Sequence, residues 1–159
     1  MTEVKSTLKV FNEKDVPEGS GIVPGQMRKR IAGTPEHPSE RIMSVLASFK
    51  PGTLEHLHWH LTEAFHYVIS GRAIVRDIEG RTYDVGPGSI IYAPPGIAGS
   101  HEWEVKEELK LIAFRATIDP ERNLQIWVDR STKESRIDFD HLVGDVVAGG
   151  AVNFRKSLY

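Results

Sequence analysis

The stretch Gly52-Thr53-Leu54-Glu55-His56-Leu57-His58-Trp59-His60 and the stretch just after it, Ala64-Phe65-His66-Tyr67-Val68-Ile69-Ser70-Gly71, decide how this chain is read. Lys50-Pro51-Gly52 is turn chemistry, so a strand is expected from Thr53 to His60. Residues two apart in a strand share a face and lie roughly 6.5–7 Å apart along the backbone. His58 and His60 can therefore converge on one ion where the strand bends toward it, and neutral imidazole is the commonest protein metal ligand. The competing reading is a chance pair on an exposed strand. Against it, a second strand follows, Ala64–Ser70, in which His66 shares a face with Ala64, Val68 and Ser70.

Outward from this pair the chain reads as short strands between Gly/Pro turns. Arg41–Phe49 alternates, with Met43, Val45, Ala47 and Phe49 on one face. Arg72–Ile78, Ser89–Ala93, His101–Val105 and Leu109–Thr117 follow, and Glu79-Gly80 is a tight turn joining antiparallel neighbours. Many short, closely spaced strands predict an all-β sandwich or barrel. Residues 1–40 read as an N-terminal arm with edge strands, including a short strand at Leu8–Phe11 and the basic run Arg28-Lys29-Arg30 as a solvated edge. Residues 41–117 read as the barrel core. Residues 118–159 read as a C-terminal segment packing on it, with one or two short helices over 120–145, one of them around Asp138–Val147. The whole is one domain. Phe65, Tyr67 and Ile69 make a large apolar outer face that needs cover, which the N-terminal arm, the C-terminal segment or a second subunit could supply, a homodimer being the favoured expectation.

Composition narrows the function. The 159 residues carry 20 Lys plus Arg against 22 Asp plus Glu, a formal net charge of -2, so nothing in the balance points to a nucleic-acid partner. The absence of cysteine excludes disulfides, thiolate metal sites and cysteine nucleophiles. No apolar run is long enough to cross a bilayer, and the first ten residues contain no apolar signal core, so the cytoplasm is the expected location.

The two histidine-bearing strands and a later turn resemble the cupins. The first cupin motif is Gly, five residues, His-x-His, three or four residues, Glu, six residues, Gly. Here Gly52, His58-Trp59-His60 and Gly71 fit it. The second is Gly, five residues, Pro-x-Gly, two residues, His, and Gly88 with Pro94-Pro95-Gly96 fits it. The resemblance covers residues 41–117 and implies a double-stranded β-helix, or jelly roll, with a metal inside. Two positions depart from the pattern: Ala64 stands where the motif has glutamate, and Gly99 where it has the last histidine. His66 and His101 each lie two residues further on and keep the same face. His101, Trp103 and Val105 alternate with Glu102, Glu104 and Lys106, which turns His101 inward.

The expected ligand set is therefore His58, His60, His66 and His101. Glu63 competes for the carboxylate position, with parity against it. His66 has the alternative role of a hydrogen-bonded core histidine. His56 reads as a same-face pocket or proton-transfer group, with Tyr67 a poorer choice because it points away. Met43, Val45, Val68 and Trp103 read as pocket wall, and His37 and His141 as surface residues. One divalent transition metal per chain is expected, zinc or iron ahead of nickel, manganese or copper. An all-imidazole centre leaves its double positive charge uncompensated and favours an anionic or chelating oxygen ligand. The function expected is Lewis-acid chemistry on a small aromatic or enolisable molecule, as in polyketide-cyclase-type cupins. The rivals are an iron-dependent dioxygenase, a non-catalytic ligand-binding or sensor cupin, and a metal-free sugar-modifying cupin with a histidine base.

Overall fold

The computed structural model of the protein describes residues 4–118 and 124–137. Its strands, numbered in chain order, form two six-stranded antiparallel sheets. In the first sheet, β1 (Glu18–Ser20), β2 (Gln26–Ala32), β3 (Met43–Phe49), β10 (Leu109–Arg115), β5 (Ala64–Ser70) and β8 (Ile90–Ala93) lie side by side in that order. The second runs β12 (Ser135–Ile137), β11 (Gln125–Val128), β4 (Leu54–His60), β9 (His101–Val105), β6 (Ala73–Asp77) and β7 (Thr82–Val85). The strand pattern predicts a sandwich or barrel, and this is the jelly roll that the family resemblance implies. No helix among the described residues is long and apolar enough to cross a membrane.

The sheets close on a shared apolar layer. Phe49, Val68 and Leu111 from the first meet Val75, Trp103 and Val105 from the second. Strand period explains which residues reach it: in β9, His101, Trp103 and Val105 are buried while Glu102 and Glu104 are half-exposed. In β5, Ala64, His66 and Val68 are buried while Phe65, Tyr67 and Ile69 are exposed. On the outer side of β9 the two glutamates pair with Arg76.

Several expectations change. Leu8–Phe11 forms no strand; the N-terminal segment instead carries a 3₁₀ turn at Glu13–Asp15, where the Asn12 side chain accepts a hydrogen bond from the Lys14 amide at 3.1 Å. The basic run Arg28–Arg30 lies in β2, which β1 covers, so it is not the edge. Thr82–Val85 adds a strand too short for a clear periodic signal. Helices were expected over 120–145, yet β11 and β12 occupy the described part, extending the second sheet beyond β4. Hydrogen bonding to an open sheet edge there overrides a weak local pattern. The helix expected at Asp138–Val147, and His141 within it, lie outside the described residues.

Gly71 joins β5 to β6 at a φ of 81°, and a Cβ there would overlap the Glu108 carbonyl just before β10. Gly71→Ala is expected to cost about 2–4 kcal/mol, because it combines a left-handed backbone with a backbone clash. Chemical denaturation of the two proteins checks this.

Candidate metal centre

The site begins with an irregularity in β4. Against β9, Glu55 faces Trp103 and His58 faces His101, so three steps on β4 match two on β9. The extra residue is a β-bulge, which reverses side-chain parity across it. Before the bulge, Glu55 faces inward and is buried. After it, His58 and His60 do. His56, expected on the same face as His58, is exposed. What reaches the site from His56 is its carbonyl, which accepts from His58 Nδ1 at 2.7 Å.

His58, His60 and His101 come together, each offering a ring nitrogen within 4.8 Å of the others. The His58 ring centroid lies 5.0 Å from that of His60 and 4.4 Å from that of His101. Each ring is held from behind. Nδ1 of His101 donates to the Gly99 carbonyl at 2.9 Å, and Nδ1 of His60 faces the Leu124 carbonyl at 3.2 Å. A carbonyl only accepts, so the contacts of His58 and His101 place the proton on Nδ1 and leave the Nε2 lone pair for the centre, while Nδ1 of His60 lies between the Leu124 carbonyl and the Arg115 guanidinium. Nε2 of both His60 and His101 is buried with no hydrogen-bond partner among the described residues, an expensive arrangement that an ion would relieve. Three converging imidazole lone pairs fit a divalent transition metal.

Gly99 explains the displaced histidine. It closes the 3₁₀ turn Ile97–Gly99, and a Cβ on it would overlap the Pro94 carbonyl. No side chain fits, so the imidazole enters two residues later, at the start of β9. Ala64, at the glutamate position, is fully buried, and Glu63 is exposed, its carboxylate accepting from the Tyr92 hydroxyl at 3.3 Å. His66 is buried on the opposite sheet, outside the set of three, with its ring 5.3 Å from that of His101 and 5.5 Å from that of Trp103. Its Nδ1 is also buried, without a hydrogen-bond partner among the described residues.

Sequence reasoning missed Glu55, Gln125 and Arg115. Gln125 donates to Glu55 Oε1 at 2.9 Å, and that oxygen stands 3.9 Å from His58 Nε2. Burial pushes the Glu55 carboxyl above its ordinary range, against the pull of Gln125 and Arg115. Arg115 continues the inward row Leu109, Leu111, Ala113 of β10, and its guanidinium lies 2.8 Å from His60 Nδ1. Burial lowers its pKa to about 10 while Glu55 opposes the shift. A charge ending an apolar row was the available signal for Arg115. For Glu55 the bulge concealed it. The expected pocket wall is mainly core: Val68 and Trp103 belong to the apolar layer and Val45 packs on it, while Met43 is half-buried at the start of β3. A cleft of about 500 Å³ that reaches His101 is lined instead from β7 and β8, by residues including Tyr83, Ile91 and Tyr92. His37 stacks on Phe11 at 4.0 Å and takes no part in the centre.

Residues 45–115 match the family model described as the cupin domain. The chain contains a cupin domain. A curated relative is the oxalate decarboxylase OxdC of Bacillus subtilis, 32% identical over 103 residues, which are 60% of this chain and 27% of that one. The chain thus matches about a quarter of that relative's length. Solved structures of similar fold include the polyketide cyclase RemF from Streptomyces resistomycificus, with a TM-score of 0.61 at 21% identity over 69% of this chain and 80% of that one. KdgF from Halomonas has a TM-score of 0.58 at 26% identity, covering 71% and 97% of the two chains. A B. subtilis oxalate decarboxylase structure described by its Mn(II) centres has a TM-score of 0.55 at 26% identity, covering 72% and 31%.

Burial is the first cause that depresses the four inward histidines of this cupin domain, with His58 lowered to about 3. The folded state therefore holds neutral rings where the unfolded chain, with an ordinary histidine pKa of about 6.5, takes up protons. Stability carried by these rings is complete above about pH 6.5 and falls below it, by about 1.4 kcal/mol per pH unit for each ring. Denaturant titrations of metal-free protein from about pH 7.5 to about pH 5 should show this loss. A flat profile would mean that the rings are solvated.

Proposed function

We propose that this cupin is a mononuclear metalloenzyme in which His58, His60 and His101 hold one divalent transition-metal ion, with His66 as a fourth imidazole beside it. It acts on a small oxygen-bearing organic substrate, in the manner of a cyclase or isomerase. The observation that carries this reading is the convergence of three buried neutral imidazoles, with the Nδ1–carbonyl contacts of His58 and His101 leaving their Nε2 lone pairs for the centre and Nε2 of His60 buried beside them. A bound ion there supplies a Lewis acid that withdraws electrons from a substrate oxygen.

The chain's own groups do the rest. The backbone carbonyls of His56, Gly99 and Leu124 orient the rings. The buried setting excludes water and strengthens each charge interaction inside. Glu55 replaces His56 as the proton-transfer group of this reading: its carboxyl, raised by burial and held by Gln125, is placed beside the metal-facing nitrogen of His58. The cleft along β7 and β8 offers a route to His101 for a partly apolar molecule.

The same reading includes a homodimer. Phe65, Tyr67, Ile90, Tyr92 and Phe114 form a contiguous exposed apolar face, with Phe65 against Tyr92 at 4.8 Å. A second copy of the chain is the proposed cover. Tyr67→Glu should then shift the sedimentation mass from two chains to one, whereas a wild-type monomer removes this part of the reading.

Elemental analysis of purified protein tests the centre. Near-stoichiometric zinc, iron or manganese is expected in the wild type, and roughly a hundredfold weaker retention or worse after His58→Ala or His101→Ala. Stoichiometric metal in folded His58→Ala would overturn the site. Iron accompanied by dioxygen uptake would move the chemistry to an oxygenase, whereas metal turnover that is the same with and without air supports the Lewis-acid reading.

A further inference from the structure

The cleft that reaches His101 carries a polar group that the proposed metal chemistry does not use. It opens between β7 and β8, the end strands of the two sheets among the described residues. Its volume of about 500 Å³ suits a molecule well beyond two or three carbons, since pockets for drug-sized ligands run from roughly 300 to roughly 1,000 Å³. Val75 and Val85 line it from one sheet, and Ile91 and Ala93 from the other. Residues directly opposite in an antiparallel pair share a face. Tyr83 lies opposite the buried Val75, which puts its ring on the inward face of β7. Asp77 lies opposite His101 and shares the face of the metal centre.

These two side chains meet. The Tyr83 hydroxyl donates to Asp77 Oδ2 at 3.0 Å, while Asp77 Oδ1 accepts from the amides of Glu79 and Arg81 at 2.9 and 3.0 Å. A carboxylate only accepts, so the phenol proton is committed to Asp77 and the lone pairs of the phenol oxygen remain. Donation to a charged group also strengthens that oxygen as an acceptor. The neighbouring polar groups of the lining are turned elsewhere. Asp84 faces outward and pairs with Arg72, Tyr92 donates to Glu63 on the outer side of β8, and Ser100 donates to the Ile97 carbonyl at 2.6 Å. Tyr83 thus holds a hydrogen-bond acceptor in a fixed direction, two strands away from His101 along the same cleft.

We propose that Tyr83, oriented by Asp77, is a specificity-determining residue that selects substrates bearing a free hydroxyl at the end remote from the metal-bound oxygen. This rests on the metal-centre reading above, and the test separates the two. The cobalt-loaded full chain is titrated with benzohydroxamate, para-hydroxybenzohydroxamate and para-methoxybenzohydroxamate, following the cobalt absorption spectrum, and metal content is measured in parallel. The three probes share a chelating head and differ in whether the far end donates a hydrogen bond. Wild type should bind the hydroxy probe about threefold to tenfold more tightly than the methoxy probe, the worth of one hydrogen bond. Tyr83→Phe should erase that preference and leave both benzohydroxamate binding and metal content unchanged. Asp77→Asn keeps acceptors for the turn amides but faces Tyr83 with an N–H donor. The phenol then points its own proton into the cleft, and the preference should reverse toward the methoxy probe. A hydroxy preference that survives Tyr83→Phe or Asp77→Asn overturns the proposal, as does equal weakening of all three probes by Tyr83→Phe, which would assign Tyr83 to support of the hairpin. Metal-loaded wild type that shows no preference, or binds none of the probes, also overturns it and leaves the metal centre standing. Wild-type protein that takes up no cobalt removes both readings.

Discussion

Everything at the centre depends on holding histidine rings out of water in their uncharged form. A buried imidazolium would be strongly disfavoured, and a buried neutral ring with an unmet nitrogen is costly as well. The protein meets half of this demand with its backbone. Each of the three clustered rings has its Nδ1 at a carbonyl, two of them from residues only two positions away in sequence. The other half, at Nε2, is left to whatever the site binds. A site built in this way is organised for a cation before any cation arrives.

The two sheets make that burial possible, and they contribute unequally. The second carries His58, His60 and His101 on adjacent strands, with His58 directly opposite His101. The first brings His66 and Arg115 across the apolar layer. Trp103 connects core and centre, since it belongs to the apolar cluster and its ring also borders those of His66 and His101. Packing and chemistry thus share residues, and loosening the core at Trp103 would loosen the rings. The bulge in β4 sets the charge at the centre by bringing in Glu55, which Gln125 of β11 then fixes.

The similarity to cupins follows the same division. The glycine and histidine spacing of the first motif is kept, and with it the geometry of β4 and β5. The departures sit in tight surroundings: Ala64 is fully buried, and Gly99 is tied to its turn by the Pro94 backbone. A carboxylate nevertheless reaches the neighbourhood of the histidines, from three residues before the first ligand instead of four after the second. Different members of a fold can in this way reach similar charge around a site from different strands.

Alternation along single strands was legible in the amino-acid order alone. The ranges of β5 and β9, the inward direction of His66 and His101, and the turn glycines at 52 and 71 all follow from period-two patterning and backbone sterics, which are local. The place of His56 and Glu55 was not legible, because a bulge is defined by the partner strand and shifts parity by one residue. Nor was the strand character of β11, whose hydrogen bonds go to β4 more than sixty residues earlier. Local sterics act within a few residues and can be read from them. Register between strands distant in sequence is settled only when the sheets assemble, and that register decides which charges surround the histidines.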